Sequence, residues 1–268
     1  MPPRRPLHTP PGPPRESAER KRARAARIVA LLRRRYPDPQ IPLRHRSPFE
    51  LLIATILSAQ CTDEMVNRVT PLLFERFPTP EAMAAADIAQ LRAIVRPTGF
   101  YQQKSATLQA CARALLERHG GEIPPDMDHL TRLPGVGRKT ANVLFSAAAI
   151  EQWPDWPHAP RERDGTGIVV DTHVARLSRR LALSLHTDPV KIEQDLMALI
   201  PRREWARFAL RLIYFGREIC TAKQPKCPFC PLSELCPSSK YLGRPPWMER
   251  SRSGAAKPDR RRARAPNA

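Results

Sequence analysis

Lys139 and Asp171 are the two residues of this chain whose type and setting best suit chemistry. Lys139 follows Leu133-Pro134-Gly135-Val136-Gly137-Arg138, a hairpin-like segment with glycines two apart, and falls in the first turn of a helix expected over 138–150. The N-terminal end of a helix favours anions, so a cation there is a poor local choice of the kind that marks function. It suits either a phosphate contact or, as the neutral amine, a nucleophile. Asp171, in Val169-Val170-Asp171-Thr172-His173, precedes another expected helix and reads first as an N-cap. A carboxylate fixed there beside an amine also takes protons and stabilises developing positive charge.

A second constellation is Cys220, Cys227, Cys230 and Cys236, spaced C-x6-C-x2-C-x5-C with Pro228 and Pro231 stiffening the turns. Four thiolates this close make one metal site. Zinc sites usually separate two C-x2-C pairs by a dozen or more residues, and only one close pair is present, so the spacing favours a [4Fe-4S] cluster over zinc. No flavin or nicotinamide fingerprint accompanies it, which points to a structural role. Lys223 and Lys226, between the first two ligands, read equally well as phosphate contacts or as solvated surface. Cys61 and Cys111 stand apart in apolar helical context and are expected to be buried thiols.

The hairpin itself exposes backbone amides. Gly135, Gly137 and the helix N-terminus opened by Arg138 make an anion site suited to a DNA phosphate without reading base sequence, although a plain structural turn remains the alternative. Composition agrees with a polyanionic partner: 45 Lys and Arg stand against 26 Asp and Glu, a net charge of +19. Residues 1–27 and 250–268 each carry +6 and the residues between them +7, so the folded part is itself basic. No apolar run approaches the roughly 18 residues of a membrane span. Pro-rich, Arg-rich Met1 to Arg15 lacks the apolar stretch of a secretory signal.

Positioning these residues falls to helices, because the periodicity is helical almost throughout and no stretch alternates with period two. The chain is read as all-α. Helices are expected near 17–35, 48–59, 62–76, 80–85, 87–95, 101–119, 126–132, 138–150, 172–182, 189–200 and 203–219. Several starts are explicit: Ser47-Pro48-Phe49-Glu50 combines an N-cap, a first-position proline and a capping-box Glu, and Thr79-Pro80 and Asp188-Pro189 repeat the cap-then-proline signal. The segment 151–167, with three prolines and two tryptophans, reads as an irregular loop. Tails before Arg15 and after Pro246 read as disordered by composition.

In five ordered motifs the chain resembles the endonuclease III DNA glycosylases of the helix-hairpin-helix superfamily: LLIATILSAQCTD at 51–63, GFYQQKSA at 99–106, LPGVGRKTAN at 133–142, VDTH at 170–173 and the four-cysteine loop. The resemblance covers roughly residues 28–240. It implies two helical lobes with a DNA cleft between them: an iron-sulphur domain of 16–40 plus 168–243, and a six-helix domain of 41–150 with the helix-hairpin-helix at 126–150. Residues 151–167 would be an insertion, and 1–15 and 244–268 basic tails.

The same resemblance implies base excision repair. A monomer without membrane association would remove oxidised pyrimidines from double-stranded DNA, then cleave the abasic site by β-elimination through a Lys139 Schiff base. Asp171 is the carboxylate carried over. Gln60 and Phe100 would fill the gap left by a flipped base, with Phe100 standing where leucine is expected, and Ser58 and Asp63 are candidate base-pocket contacts or helix caps. The compartment would be cytoplasmic and nucleoid-associated in a bacterium, nuclear or mitochondrial in a eukaryote.

Two departures stand out: the length of 151–167, which either changes access to the pocket or bulges outward, and Tyr214-Phe215-Gly216-Arg217 where His-Gly-Arg is expected. The rival readings are an adenine-mismatch-type monofunctional glycosylase, which usually lacks the lysine, and a non-catalytic helix-hairpin-helix DNA-binding protein.

Overall fold

In the computed structural model, residues 15–151, 153, 156, 167–245 and 248 are described, and they contain helices and no strand. The expected tails and most of the 151–167 loop lie outside the described residues. Eleven α-helices follow one another among them: α1 (Ala18–Arg35), α2 (Pro48–Leu57), α3 (Asp63–Arg76), α4 (Pro80–Ala84), α5 (Ile88–Val95), α6 (Tyr101–His119), α7 (Met127–Thr131), α8 (Arg138–Glu151), α9 (Thr172–Arg180), α10 (Pro189–Leu199) and α11 (Trp205–Glu218). Among the described residues no helix is long and apolar enough to cross a membrane.

The helix starts follow from the caps. Ser47 Oγ accepts from the Glu50 N–H, with Pro48 at the first helical position. Glu50 reaches back one residue further than a standard capping box, accepting from the Arg46 N–H at 2.8 Å. Thr79, Asp171 and Asp188 cap α4, α9 and α10 through their side chains. Three ends differ from expectation by two residues. Helix α2 stops at Leu57, α9 stops at Arg180, before Ala182 takes a left-handed conformation, and α11 starts at Trp205 after a 3-10 turn. Short 3-10 turns, which periodicity does not announce, occur at Arg96–Thr98, at Arg202–Glu204, at two places in the cysteine loop and at Ser239–Tyr241 just after it.

Two apolar clusters form. One gathers side chains from Leu43 to Ala148 with Trp156 and has α2, buried on every face, as its central rod. The other joins α1 to residues 168–235, so both ends of the chain build it. Ile41 and Val143 pack against both. Helix α8 also bridges them, lying on α2 and α7 on one side and on α11 on the other. The crossing from α1 is pinned by Arg211, which is 2 % exposed. Its guanidinium donates to the Tyr36 and Pro37 carbonyls and to Glu204. A buried cation needs that complete a set of acceptors, and the set fixes the direction in which residues 38–43 leave for the first cluster.

Candidate active site

Between the two clusters lies a cavity of about 100 Å³. Its lining includes Ser58, Asp63 and Lys139 from the first cluster's helices and Asp171 and Arg217 from the second. Lys139 is the second residue of α8 and is exposed. It stands where it does because the hairpin is tightly built. Gly135 has φ +78°, and a Cβ there would come within 2.4 Å of Thr107 Cγ2 and against Ile56. Only glycine lets the turn lie so close to α6 and α2. A Cβ at Gly137 would meet nothing, so this stretch of backbone is open to an approaching partner.

Asp171 is held by its own cap: Oδ1 accepts from the Val174 N–H at 2.8 Å. Buried Ile168 and Val169 anchor the strand-like approach to it. Ser58 donates its hydroxyl to the Thr55 carbonyl at 2.7 Å. Asp63 does not cap α3, a task performed by Thr62; instead its carboxylate pairs with Arg217 of α11. Arg217 had drawn attention only as part of an altered motif. Phe215, the altered residue, is 2 % exposed and serves as an apolar core side chain.

Arg138 is committed to Glu193 of α10, with Nε to Oε2 at 2.7 Å and Nη2 to Oε1 at 3.2 Å. Asn142 Nδ2 donates to the same carboxylate at 2.9 Å. Glu193 is itself 3 % exposed, so this carboxylate ties the hairpin helix to the other cluster. Sequence carried no sign of it, since the partners are 55 and 51 residues apart.

Gln60 and Phe100 share a neighbouring groove with Gly135 and Lys104. Both are exposed and both adopt left-handed backbone conformations, φ 53° and 47°. For non-glycine residues that conformation costs free energy and tends to concentrate at functional positions. Lys223 and Lys226 are exposed on the cysteine loop.

In that loop Cys220, Cys227, Cys230 and Cys236 are all free and partly buried. Burial pushes the Cys227, Cys230 and Cys236 thiols up, the last to about 12, and neighbouring cysteines add to each shift. Arg180 of α9 lies 3.2 Å from Cys220 Sγ and donates to the Thr221 and Ala222 carbonyls, and Arg176 donates to the Gly216 and Cys220 carbonyls. The helix capped by Asp171 thus braces the loop. Among the described residues no three His, Cys, Asp or Glu side chains are grouped closely enough to hold a metal ion. Of the two isolated cysteines, Cys111 is buried as expected, whereas Cys61 is only partly so, because α2 has already ended and the chain is turning at the surface.

Of the 151–167 segment, Trp153 and Trp156 stack on each other and Trp156 on Phe145. They pack on the first cluster and are absent from the lining of the Lys139 cavity.

The model of the HhH-GPD superfamily of base excision DNA repair proteins matches residues 53–202. Endonuclease III of Synechocystis sp. is 44 % identical over 220 residues, covering 82 % of this chain and 94 % of its own. Endonuclease III of Escherichia coli is 36 % identical over 215 residues, covering 80 % and 95 %. A solved structure of endonuclease III trapped as a covalent intermediate with DNA superposes with a TM-score of 0.73 at 39 % identity, covering 83 % of this chain and 99 % of that one.

Proposed function

The chain belongs to the endonuclease III family of HhH-GPD base-excision-repair proteins, bifunctional DNA glycosylases and abasic-site lyases, and from that premise we propose that Lys139 is its nucleophile and Asp171 the carboxylate that serves it. One observation carries the assignment: the two residues line the same cavity, Lys139 from the first turn of α8, whose buried side chains enter the first cluster, and Asp171 from the cap of α9, whose buried side chains enter the second. The substrate is duplex DNA with an oxidised pyrimidine, acted on by a monomer. The bacterial relatives favour a nucleoid-associated, cytoplasmic setting.

The neutral Lys139 amine attacks C1′ of a nucleotide turned out of the duplex. The glycosidic bond breaks, and the base leaves with its electron pair and takes up a proton. Asp171 accepts the proton shed by the attacking nitrogen and offsets the positive charge that builds on the sugar. Ring opening gives a Schiff base to Lys139. Loss of a C2′ proton then expels the 3′ phosphate by β-elimination, and water frees the lysine. Ser58 and Asp63 face the base in the cavity. Gln60 and Phe100 fill the gap in the duplex, while the Gly135 and Gly137 amides, Arg138, Lys223 and Lys226 meet phosphates. Arg138 shares its guanidinium between Glu193 and the DNA.

Cys220, Cys227, Cys230 and Cys236 suit a [4Fe-4S] cluster. Buried thiolates need a cationic body to be stable. Their C-x6-C-x2-C-x5-C spacing, with one close pair rather than the two separated pairs usual for zinc, is what favours the cluster. When bound, the cluster supplies rigidity to the loop carrying Lys223 and Lys226. The two apolar clusters are taken as two domains, 41–150 and 16–40 with 168–243.

A panel of duplexes bearing thymine glycol, an abasic site, adenine opposite guanine, or no lesion tests the reading. Strand cleavage is expected on the first two alone. Release of adenine from the mismatch without strand cleavage would overturn it.

A further inference from the structure

Lys104 is a buried lysine to which the reaction gives no task. It lies in the first turn of α6 and is 6 % exposed. An ammonium at a helix N-terminus opposes the helix dipole, and burying one is costly without acceptors. Its Nζ donates to the Leu57 carbonyl and to the Thr98 carbonyl, each at 2.8 Å. Its own backbone N–H donates to the Phe100 carbonyl at 2.9 Å. Leu57 is the last residue of α2, and the carbonyls at a helix C-terminus, left without partners inside the helix, attract a cation. From there the chain runs three residues to Gln60. Thr98 closes the 3-10 turn that delivers Phe100 two residues later.

One side chain therefore fastens the stems of both segments whose tips take left-handed conformations at Gln60 and Phe100. Phe100, the N-cap residue of α6, makes no capping hydrogen bond through its side chain. Lys104, Gln60, Phe100 and the Gly135 hairpin line one groove.

We propose that Lys104 is a positioning residue that sets the spacing of Gln60 and Phe100, and so the ability of the enzyme to fill the gap in a duplex from which a nucleotide has been flipped. The inference rests on the gap-filling reading of those two residues. It concerns duplex DNA specifically, because a single strand has no gap to fill. Cleavage of an abasic site in single-stranded DNA needs only Lys139, Asp171 and the backbone contacts.

The test is the ratio of kcat/KM for abasic-site cleavage in duplex to that in single-stranded DNA, measured for wild type, Lys104→Met, Gln60→Ala, Phe100→Ala and Leu108→Ala. Leu108 is a fully buried core residue of the same helix, so its truncation reports loss of stability without touching the two carbonyls. Lys104→Met is expected to lower the ratio at least fivefold, as the two tip variants do, while Leu108→Ala leaves it within twofold of wild type. Should Lys104→Met fail to fold, Lys104→Gln, a shorter donor, is expected to move the ratio in the same direction. If the tip variants lower the ratio and the Lys104 variants do not, or if Leu108→Ala lowers it equally, the role of Lys104 is overturned. If the tip variants leave it unchanged, the gap-filling reading fails and the positioning role falls with it.

Discussion

Arg217 Nη2 donates to Asp63 Oδ2 at 2.5 Å, joining α11 of one cluster to α3 of the other along the wall of the cavity that holds Lys139 and Asp171. Both partners keep solvent contact, with side chains 40 % and 22 % exposed, so the pair contributes less than about 1 kcal/mol to stability. Arg217→Met should therefore shift Tm by no more than about 4 °C. A base entering the cavity loses a charged donor, and KM on a thymine-glycol duplex should rise about tenfold. Steady-state kinetics beside a melting curve separates the two effects, and an unchanged KM would show that Arg217, though it lines the cavity, takes no part in binding the base.

Asp171 carries two tasks that substitution can separate. Asn is as good an N-cap as Asp, whereas Ala costs about 1 kcal/mol. Asp171→Asn should melt close to wild type and Asp171→Ala a few degrees lower, while both lose abasic-site cleavage by at least about a hundredfold, the range of a lost general acid-base group. An active Asp171→Asn protein would reduce the residue to a cap.

Much of this architecture was legible because local signals agreed with the tertiary outcome. Ser47-Pro48, Thr79-Pro80 and Asp188-Pro189 announce helix starts that the structure contains, and Lys139 was visible as a cation at the wrong end of a helix. Tertiary pairing was not legible. Nothing near Glu193 announces that its carboxylate will be buried against Arg138 and Asn142, and no residue type demands a left-handed backbone at Gln60 or Phe100. Lys104 carries a signal in the sequence itself. It shares the buried face of α6 with Leu108, Cys111 and Leu115 at helical spacing, where a lysine is out of place unless it has acceptors.

Glu193 gives a stability prediction. Glu193→Ala removes the buried carboxylate that accepts from Arg138 and from Asn142 Nδ2. Breaking a buried ion pair costs about 3–5 kcal/mol, but the Arg138 side chain is 44 % exposed, which reduces the loss to about 2 kcal/mol. Thermal denaturation should show a fall of about 4–8 °C. Gly167→Ala should also destabilise, since a Cβ there would sit 1.8 Å from Glu193 Oε1. A Gly167→Ala protein as stable as wild type would show that α10 yields easily.

His45 gives a pH dependence. Burial pushes its imidazole down, but Glu151 and the Leu43 carbonyl push it up further, and the net shift is upward. Its Nδ1 lies 2.7 Å from the Leu43 carbonyl and its Nε2 2.9 Å from Glu151 Oε2. Two acceptors call for the doubly protonated ring. A folded value above the unfolded one of about 6.5 means that this stabilisation is complete below about pH 6.5. It is lost as pH rises through the folded value. The difference in Tm between wild type and Glu151→Gln should therefore shrink from pH 6 to pH 9, and a gap that widens would reverse the assignment.

The central claim is that Lys139 forms a Schiff base with the sugar of a damaged nucleotide. Incubating the protein with duplex DNA containing an abasic site in the presence of borohydride, then mapping the adduct by peptide mass spectrometry, tests it most directly. The expected result is a covalent protein–DNA adduct at Lys139 that Lys139→Gln abolishes. An adduct of undiminished yield with Lys139→Gln, or no adduct with a wild-type protein that still cleaves the strand, would contradict it.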